Sequence, residues 1–329
     1  MSPIFSIFTS VYNAEKYIGK CLDSVLKQSL NDFEWYIHDD GSTDASYQIC
    51  ADFAQKDDRI ILSQGNNGTC ISKLNQFLKE AKGKYVAFID HDDLWEPDYL
   101  ETIYNRLNTN NVDGAITSYT LINADGDRLG WYTPILKDGE ILNSLELKRR
   151  FLTSLEIEGF RWNKFYKTDL YRKSKLEFQR KFPADIRFEY DLFDYVNTVV
   201  LVESKGYYYR QLASSEVGDV NIDKTLGMLE TFKIIGNRAI KEGLVEEGWY
   251  YRSWRYINNI FLRIQGGNFS NEELQMLFKA FSWKSEVHTN IIKTLIKFGK
   301  YKNRRDGNFK FAIKTILVWM KTKKYRFEV

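Results

Sequence analysis

Three aspartates lie within residues 90–93 (Asp-His-Asp-Asp, here the acidic motif), directly after the apolar run 85–89. Carboxylates this close repel one another and destabilise the fold unless a cation or hydrogen-bond donors compensate their charge. A divalent ion held by one or two carboxylates and by the oxygens of a diphosphate would do so. All-oxygen ligation favours Mg²⁺ or Mn²⁺ over zinc, and we interpret His91 as a spacer. A turn that caps the next helix is the alternative, but the position after a buried strand favours the metal site.

A second polar cluster, residues 39–44 (Asp-Asp-Gly-Ser-Thr-Asp, here the acidic turn), ends another apolar run and opens a helical pattern. A turn and a helix cap account for its Gly, Ser and Thr and for its last Asp, but not for Asp39 and Asp40. Carboxylates at this position can accept hydrogen bonds from the ring N–H of a base or from a ribose hydroxyl. The cluster is therefore a candidate for contact with a base or a ribose.

Both clusters follow strand-like runs in a regular alternation of strands and helices. The strand-like runs cover residues 4–9, 33–38, 59–63 and 85–89, and the helical patterns between them cover residues 15–28, 43–53 and 71–81. This alternation predicts an α/β fold with right-handed crossovers and a mostly parallel sheet covered by helices. Ligands bind such sheets beyond the carboxyl ends of the strands. Residues 9–13, 39–42 and 90–93 all fall there, so we expect them to converge.

Downstream, the pattern predicts a helix to about Asn108, a strand at 114–121, a hairpin turn at 123–126 and a helix at 142–155. Two further strands are predicted at 199–203 and 207–210. Beyond about residue 220 the sequence is almost wholly helical, with candidates at 226–242, 246–264, 271–281, 286–298 and 309–323. We therefore predict two domains, an α/β domain at 1–218 that carries both acidic clusters and a helical region with a basic amphipathic tail at 219–329.

The order of the motifs resembles that of the family 2 glycosyltransferases. The matching segments are residues 5–13 and 17–28, the acidic turn as the family's uracil-binding turn, the acidic motif as its Asp-X-Asp motif, and the blocks 161–166 and 207–211. The last two blocks are common in bacterial members that build surface polysaccharides. The resemblance covers about residues 3–215, and it implies a GT-A fold, a Rossmann-like and mostly parallel sheet flanked by helices. It also implies that residues 1–218 form a nucleotide-sugar-binding and catalytic domain, with an inverting transfer from a nucleotide sugar, commonly linked to UDP.

The resemblance implies roles for individual residues at the donor site. Thr9 and Tyr12 would border the uracil, Asp40 would bond its ring, and Asp39 would support the turn. Asp90 would meet the ribose and stand beside the metal, which Asp92 would hold on the diphosphate. Many relatives have Arg-Asn where this chain has Leu74-Asn75, so Lys73 is a candidate for the missing donor contact.

Other candidates belong to the sugar and acceptor side. Trp162 would wall the donor or acceptor sugar, unless it belongs to the core. Asn163 and Lys164 are candidates to bond the sugar or the diphosphate. Asp93 is a candidate for the same site, or for a cap of the following helix.

An inverting displacement also needs a base that takes the proton of the attacking hydroxyl. The family supplies it from an adjacent Glu-Asp pair before an amphipathic helix. In this chain Tyr190 separates Glu189 from Asp191, which leaves the base ambiguous, and we prefer Asp191.

Composition limits the cellular setting and the partners. Three cysteines without metal-ligand spacing, no signal-peptide pattern and no run of about 20 apolar residues predict a cytoplasmic protein. Of 47 Lys and Arg, 13 lie from Lys284 onward, with only three of the 44 acids. This basic tail contains interleaved apolar residues, which favours contact with an anionic membrane at the inner face of the plasma membrane. A helix packed on the catalytic domain and a contact between copies in a homo-oligomer are the alternatives, and no motif indicates nucleic-acid binding.

These observations predict a non-processive, inverting glycosyltransferase of bacterial surface-polysaccharide synthesis, with a UDP-sugar donor, Mn²⁺ or Mg²⁺, and a saccharide or lipid-linked acceptor. A processive synthase of the family would carry a Gln-X-X-Arg-Trp motif and spanning helices, and neither is found. A polyprenyl-phosphate sugar transferase is the alternative within the family. A sugar nucleotidyltransferase is the alternative from another class, but it would require a Gly-rich phosphate loop near the first strand.

Overall fold

The computed structural model of the chain describes residues 2–129, 136–153, 157–179, 183–212 and 221–244, with residues 270, 272, 273 and 276. The chain divides into two compact units. Residues 1–151 and 155–218 form the first, and residues 152–154 and 219–329 are assigned to the second. The roles predicted for the two parts remain predictions. Within the described residues, no helix is both long enough and apolar enough to cross a membrane.

The amino-terminal part of the first unit alternates strands and helices as predicted. Its elements are β1 (Phe5–Val11), α1 (Ile18–Leu26), β2 (Phe33–Asp39), α2 (Ser46–Ala54), β3 (Ile60–Gln64), α3 (Cys70–Glu80) and β4 (Tyr85–Phe88). All of β4 and all of β1 except Ser10 are buried. Continuous apolar runs of this kind are typical of parallel strands that helices cover on both faces.

The elements that follow are shorter and more varied. They are β5 (Leu94–Trp95), α4 (Tyr99–Asn110), β6 (Gly114–Thr117), β7 (Thr120–Ile122), β8 (Ile141–Asn143), α5 (Ser144–Thr153), β9 (Lys164–Lys167), α6 (Thr168–Ser174), α7 (Ala184–Leu192), β10 (Thr198–Val202) and β11 (Tyr207–Arg210). In the second unit the described helix is α8 (Ile222–Lys241), close to the predicted helix at 226–242. The remaining helical candidates and the basic tail lie wholly or mostly outside the described residues.

The large sheet has the strand order β3-β2-β1-β4-β9-β6-β10-β8. Its strands pair in parallel from β3 to β4 and between β6 and β10, whereas β9 and β8 run antiparallel to their neighbours. A second sheet has the order β5-β11-β7. The prediction of an α/β fold with a mostly parallel sheet flanked by helices is confirmed.

Three predictions for the central part differ from the structure. The strand predicted at 114–121 is two strands in two sheets, because the chain leaves the large sheet after Thr117 and enters the small one at Thr120. The predicted helix at 142–155 begins as β8, since Leu142 pairs with Val199 at the sheet edge. The strand β9 was not predicted; its position between β4 and β6 depends on partners far away in the sequence.

Candidate active site

The loops that follow β1, β2 and β4 meet at one edge of the large sheet. Parallel pairing sets Val11 beside Asp39 and Phe8 beside Phe88, so the three strands end at similar heights. The first two loops are joined directly, because the Asn13 amide donates to Ser42 Oγ (3.0 Å) and Asn13 Oδ1 accepts from the Thr43 amide (2.9 Å). The structure thus brings together the segments that carry the acidic turn and the acidic motif.

Asp39 holds the acidic turn in shape. Its side chain is fully buried, and Oδ1 accepts from the amides of Gly41 (3.2 Å) and Ser42 (3.0 Å). Gly41 has φ of +83°, which glycine adopts without strain. Asp39 Oδ2 is buried and has no hydrogen-bond partner within the described part of the chain. A buried carboxylate oxygen left unpaired is energetically costly.

Asp40 caps the amino terminus of α3, a partnership that the sequence does not indicate. Its Oδ1 accepts from the amides of Thr69 and Cys70 (both 2.8 Å), and its Oδ2 accepts from the Gly68 amide (2.8 Å). Since Oδ2 accepts a single bond, it keeps acceptor capacity for the N–H of a ligand.

His38, the residue before the acidic turn, is a site residue that sequence analysis missed. It is buried, with Nδ1 2.9 Å from Ser63 Oγ and Nε2 3.1 Å from Thr69 Oγ1. Burial lowers the pKa of His38, which favours the neutral ring. A polar residue inside an apolar strand was the available signal, and its effect is to hold the start of α3 against β2 and β3.

Thr9, Tyr12 and Lys73 take different positions around this edge. Thr9 is buried; its hydroxyl donates to the Ile89 carbonyl (3.0 Å) and accepts from Trp35 Nε1 (3.0 Å), so it connects β1 to the strand before the acidic motif. Tyr12 is 43% exposed in the loop after β1. Lys73 lies in the first turn of α3, with Nζ 3.2 Å from Gln76 Oε1. Of the three, Tyr12 offers an open face to a ligand.

Asp93 is fully buried and occupied by protein donors. Tyr207 donates its hydroxyl to Oδ2 (2.6 Å), and the Arg210 amide donates to Oδ1 (2.7 Å). Burial, and then the charges of Asp92 and Asp90, raise the pKa of Asp93 well above its ordinary value. The predicted cap is wrong, because α4 begins at Tyr99 after Asp98; Asp93 instead attaches β11 to the acidic motif.

The carboxylates of Asp92 and Asp90 are the ones in the motif that can still bind a ligand. Both are partly exposed, and neither carboxylate accepts a hydrogen bond from the residues described. Burial raises the pKa of Asp90 to about 6, although the positive charge of Arg161 acts to lower it. The negative charge of Asp92 adds to the rise. His91 Nδ1 lies 3.0 Å from the Ser10 carbonyl, which agrees with its interpretation as a spacer.

This pair fits a divalent ion that shares its coordination with a diphosphate. Across the described ranges, no three His, Cys, Asp or Glu side chains form a group that could hold an ion by themselves. Mg²⁺ in nucleotide sites is typically bound by one or two carboxylates, with substrate phosphates and water completing the shell. Asp92, with Asp90 beside it, matches that donor set.

Arg161 is a cation whose charge acts on Asp90 of the motif, and the sequence did not single it out within the block 161–166. Its guanidinium lies over the rings of Phe88 (5.6 Å) and Phe178 (5.8 Å). Its Nη1 donates to Asp185 Oδ1 (3.1 Å). Burial lowers the pKa of Arg161, but the charges of Asp185 and then Asp90 more than offset it and raise that pKa above its ordinary value. Arg161 therefore links β4 to α7.

The other candidates of the block, Trp162, Asn163 and Lys164, mainly contact the protein itself. Trp162 is 3% exposed and stacks on Tyr207 (4.5 Å between ring centroids) and on the partly exposed Phe160 (5.0 Å). Asn163 Nδ2 donates to the Thr117 carbonyl (2.9 Å). Lys164 Nζ is buried among the Glu158 and Phe160 carbonyls and Asn163 Oδ1. Because β9 lies inside the large sheet, the polar groups of Asn163 and Lys164 bond to the protein.

The two acids nominated as base lie on different faces of α7. Glu189 is 1% exposed, receives a hydrogen bond from the Tyr166 hydroxyl (3.2 Å), and has its pKa raised by burial to about 7. Asp191 pairs with Arg187 (3.6 Å) on a partly exposed face. The acid four residues before Glu189, on the same face, is Asp185.

Comparison with known proteins identifies the family of the chain. The profile described as Glycosyl transferase family 2 matches residues 6–182, more than half of the chain. Glycosyltransferase GlyA of Streptococcus pneumoniae is 31% identical over 179 residues, 52% of this chain and 25% of GlyA. TuaG of Bacillus subtilis, named for teichuronic acid biosynthesis, is 36% identical over 129 residues, 39% of this chain and 51% of TuaG. The chain thus spans a quarter to about half of the length of these relatives.

The fold has a solved counterpart in Staphylococcus aureus. The crystal structure of TarS residues 1–349 in complex with UDP matches with a TM-score of 0.67 and 20% identity, covering 99% of this chain and 94% of that one. At this identity the likeness concerns the fold alone. Together with the profile match, it shows that the chain belongs to glycosyltransferase family 2 and has the GT-A fold.

Proposed function

We propose that the chain is an inverting, non-processive glycosyltransferase. It moves a sugar from a UDP-linked donor to a hydroxyl of a saccharide or lipid-linked acceptor in the assembly of a bacterial surface polysaccharide. The observation that carries the proposal is the meeting of the acidic turn and the acidic motif at the carboxyl edge of one parallel sheet. The UDP in the TarS complex and the naming of TuaG support the donor and the pathway class.

The nucleotide is recognised along the acidic turn. Asp40 Oδ2 accepts the ring N–H of the uracil, while Tyr12, exposed in the adjoining loop, stacks on its face. Asp39 keeps the turn rigid through the amides of Gly41 and Ser42. A rigid turn lowers the entropy lost when the nucleotide binds.

The diphosphate lies over the acidic motif. Asp92 and Asp90 hold the divalent ion there, and a bound ion neutralises the charge that grows on the departing nucleoside diphosphate. The strand β11 fixes the motif before any ligand arrives, because Asp93 is bonded to Tyr207 and Arg210 of that strand. Such preorganisation is what makes electrostatic stabilisation effective.

The sugar and the acceptor face an aromatic wall formed by Phe160, Trp162 and Tyr209. Phe160 and Tyr209 are its partly exposed members, with ring centroids 6.0 Å apart, and both contact the buried Trp162. Aromatic faces of this kind suit the C–H faces of pyranose rings. In an inverting transfer the acceptor hydroxyl attacks the anomeric carbon from the side opposite the diphosphate.

A screen of UDP-sugars with the full chain and Mn²⁺ tests the proposal. We expect one or a few donors to be turned over in a metal-dependent way, with faster release of UDP when the correct saccharide acceptor is added. Faster release with polyprenyl phosphate alone would support the alternative within the family. Formation of a nucleotide sugar from a sugar phosphate and a nucleoside triphosphate, without UDP-sugar turnover, would contradict the proposal.

A further inference from the structure

We infer that His38 is a positioning residue for base recognition, which acts on Asp40 through the hydroxyl of Thr69. It lies in β2, two residues before Asp40 and just outside the acidic turn. Its ring is 1% exposed, so it acts on the nucleotide through Asp40 and not by contact. This role depends on the proposed function, in which Asp40 Oδ2 accepts the ring N–H of uracil.

The His38 ring contacts the segment that holds the Asp40 carboxylate. His38 Nε2 lies 3.1 Å from Thr69 Oγ1, and the Thr69 amide donates to Asp40 Oδ1 at 2.8 Å. The amides of Gly68 and Cys70, on either side, also donate to Asp40. Within the described part of the chain, these three residues supply every amide hydrogen bond that the carboxylate accepts. The ring therefore ties β2 to the donors that fix Asp40.

The hydrogen bonds around the Thr69 hydroxyl determine which ring nitrogen of His38 carries a proton. Besides the ring, Thr69 Oγ1 faces Asp40 Oδ1 (3.0 Å) and the Asn66 carbonyl (2.8 Å). An ionised carboxylate and a carbonyl can only accept, so the hydroxyl proton goes to one of them and Nε2 donates to Oγ1. Nδ1 then accepts from the Ser63 hydroxyl (2.9 Å), and burial lowers the pKa of His38, which agrees with a ring that carries one proton.

The backbone of Gly65 closes over this chain of hydrogen bonds. A Cβ at Gly65 would overlap Thr69 Oγ1 and would lie 3.1 Å from His38 Cε1. Glycine permits such a close approach of the backbone. The Gly65 amide is itself fixed, because it donates to the Asp39 carbonyl at 2.9 Å. The ring and the hydroxyl therefore have little room to take other positions.

The fixed carboxylate presents one oxygen to a base. Asp40 Oδ1 accepts the amides of Thr69 and Cys70, whereas Oδ2 accepts one amide, from Gly68, and keeps a lone pair for a ligand. A fixed acceptor selects uracil, whose ring N–H donates, over cytosine, whose corresponding ring nitrogen accepts. Without the His38 contact the segment 68–70 and the carboxylate can shift, so both the affinity for UDP and the discrimination against CDP should fall.

Two matched pairs of variants of the full chain test this role. His38→Gln keeps an amide N–H near the position of Nε2, whereas His38→Asn places it near Nδ1. Thr69→Ser keeps the hydroxyl, and Thr69→Val replaces it with a methyl group of similar size. In calorimetry with Mn²⁺, we expect His38→Asn and Thr69→Val to bind UDP about 2- to 10-fold more weakly than His38→Gln and Thr69→Ser. The ratio of UDP affinity to CDP affinity should fall by a similar factor.

Two further measurements separate this role from a purely structural one. The double variant of His38→Asn and Thr69→Val should bind UDP about as well as the weaker single variant, because both changes break the same contact. In sugar transfer, the loss should appear in the KM of the UDP-sugar and not in kcat. Thermal unfolding shows which variants are folded, and the Thr69 pair provides the same comparison if a His38 variant does not fold.

Three results would overturn the inference. The first is equal UDP affinity of the two folded members of either pair. The second is a weakening of UDP and CDP binding by the same factor in His38→Asn and Thr69→Val. The third is a double variant in which the two losses add. Failure of the proposed donor is recognised separately, since the wild-type chain would then bind another nucleoside diphosphate in preference to UDP.

Discussion

The hydroxyl oxygen of Tyr207 lies 2.6 Å from Asp93 Oδ2 and also accepts the Asp90 amide at 3.3 Å. The two residues are 114 positions apart in the sequence. This contact attaches the small sheet to the acidic motif, whereas the carboxylates of Asp92 and Asp90 accept no hydrogen bond from the residues described. Arg210 adds to it by donating Nε to the Asp92 carbonyl (2.7 Å).

Removal of the Tyr207 hydroxyl tests this support. Tyr207→Phe leaves a buried carboxylate oxygen and the Asp90 amide without their partner, which should lower the free energy of unfolding by about 1–3 kcal/mol. Urea denaturation measures it. The matched control is Tyr208→Phe, whose hydroxyl bonds to Glu96 and Arg128 at the surface and whose loss should cost less than about 0.5 kcal/mol. An equal loss in the free energy of unfolding for the two variants would show that the contact with Asp93 does not stabilise the fold more than a surface hydrogen bond.

Replacement of Asp92 tests the metal role. Calorimetry with UDP in the presence of Mn²⁺ should show binding that Asp92→Ala weakens by at least about tenfold, or about 1.4 kcal/mol. Asp98→Ala is the control, because it removes an exposed carboxylate five residues beyond the end of the motif. UDP affinity that is the same with and without Mn²⁺ would rule out the assigned role.

The buried Glu189 predicts a specific pH dependence of stability. Its pKa is about 7 in the folded chain and about 4.5 in the unfolded chain, so folding takes up a proton between these values. The protonated carboxyl therefore makes its full contribution to the free energy of unfolding below pH 4.5. This contribution is lost as the pH rises through 7. The free energy of unfolding of the wild type should therefore fall by about 3 kcal/mol relative to Glu189→Gln over this range.

Denaturation of both proteins at several pH values between 4.5 and 8 measures this difference. The same series with Asp191→Asn, a partly exposed acid of the same helix, separates the effect of burial from that of removing a charge. A wild-type minus Glu189→Gln difference that stays constant with pH would contradict a raised pKa at Glu189.

Two glycines of the first unit should respond oppositely to alanine. At Gly41, with φ of +83°, an added Cβ would lie 2.8 Å from the Asn67 nitrogen, so Gly41→Ala should disturb the acidic turn and weaken UDP binding. In α1, the nearest atom to a Cβ at Gly19 is 4.0 Å away, and Gly19→Ala should stabilise by about 0.5–1 kcal/mol. Thermal unfolding and UDP calorimetry on both variants check this. Unchanged UDP affinity in Gly41→Ala would contradict a role of the acidic turn in UDP binding.

The basic tail predicts binding to anionic membranes. A chain that ends at residue 283 should partition less onto phosphatidylglycerol vesicles than the full chain, because each Lys or Arg near such a surface contributes about 1 kcal/mol. Replacing Lys321, Lys323 and Lys324 by Gln is a milder version of the same test, and neutral phosphatidylcholine vesicles are the control. Equal partition of the full and shortened chains would remove the membrane interpretation.

The sequence by itself determined the alternation of strands and helices up to β4, because apolar runs and helical periodicity are local signals. That alternation was sufficient to place the acidic turn and the acidic motif at one sheet edge, since parallel strands share the direction of their carboxyl ends. The order of the motifs also predicted the family, and the profile match over residues 6–182 confirms it.

Only the tertiary structure decided what each polar side chain contacts there. Asp40 caps α3 through amides 28–30 residues away, and Asp93 is bonded to β11 across 114–117 residues. The position of β9 between β4 and β6 turned Asn163 and Lys164 toward protein partners. On α7, periodicity separates Asp191 from Glu189, but the pairing of Asp185 with Arg161 depends on how α7 packs against the block 161–166. Such pairings depend on how distant elements pack, and no local pattern in the sequence encodes them.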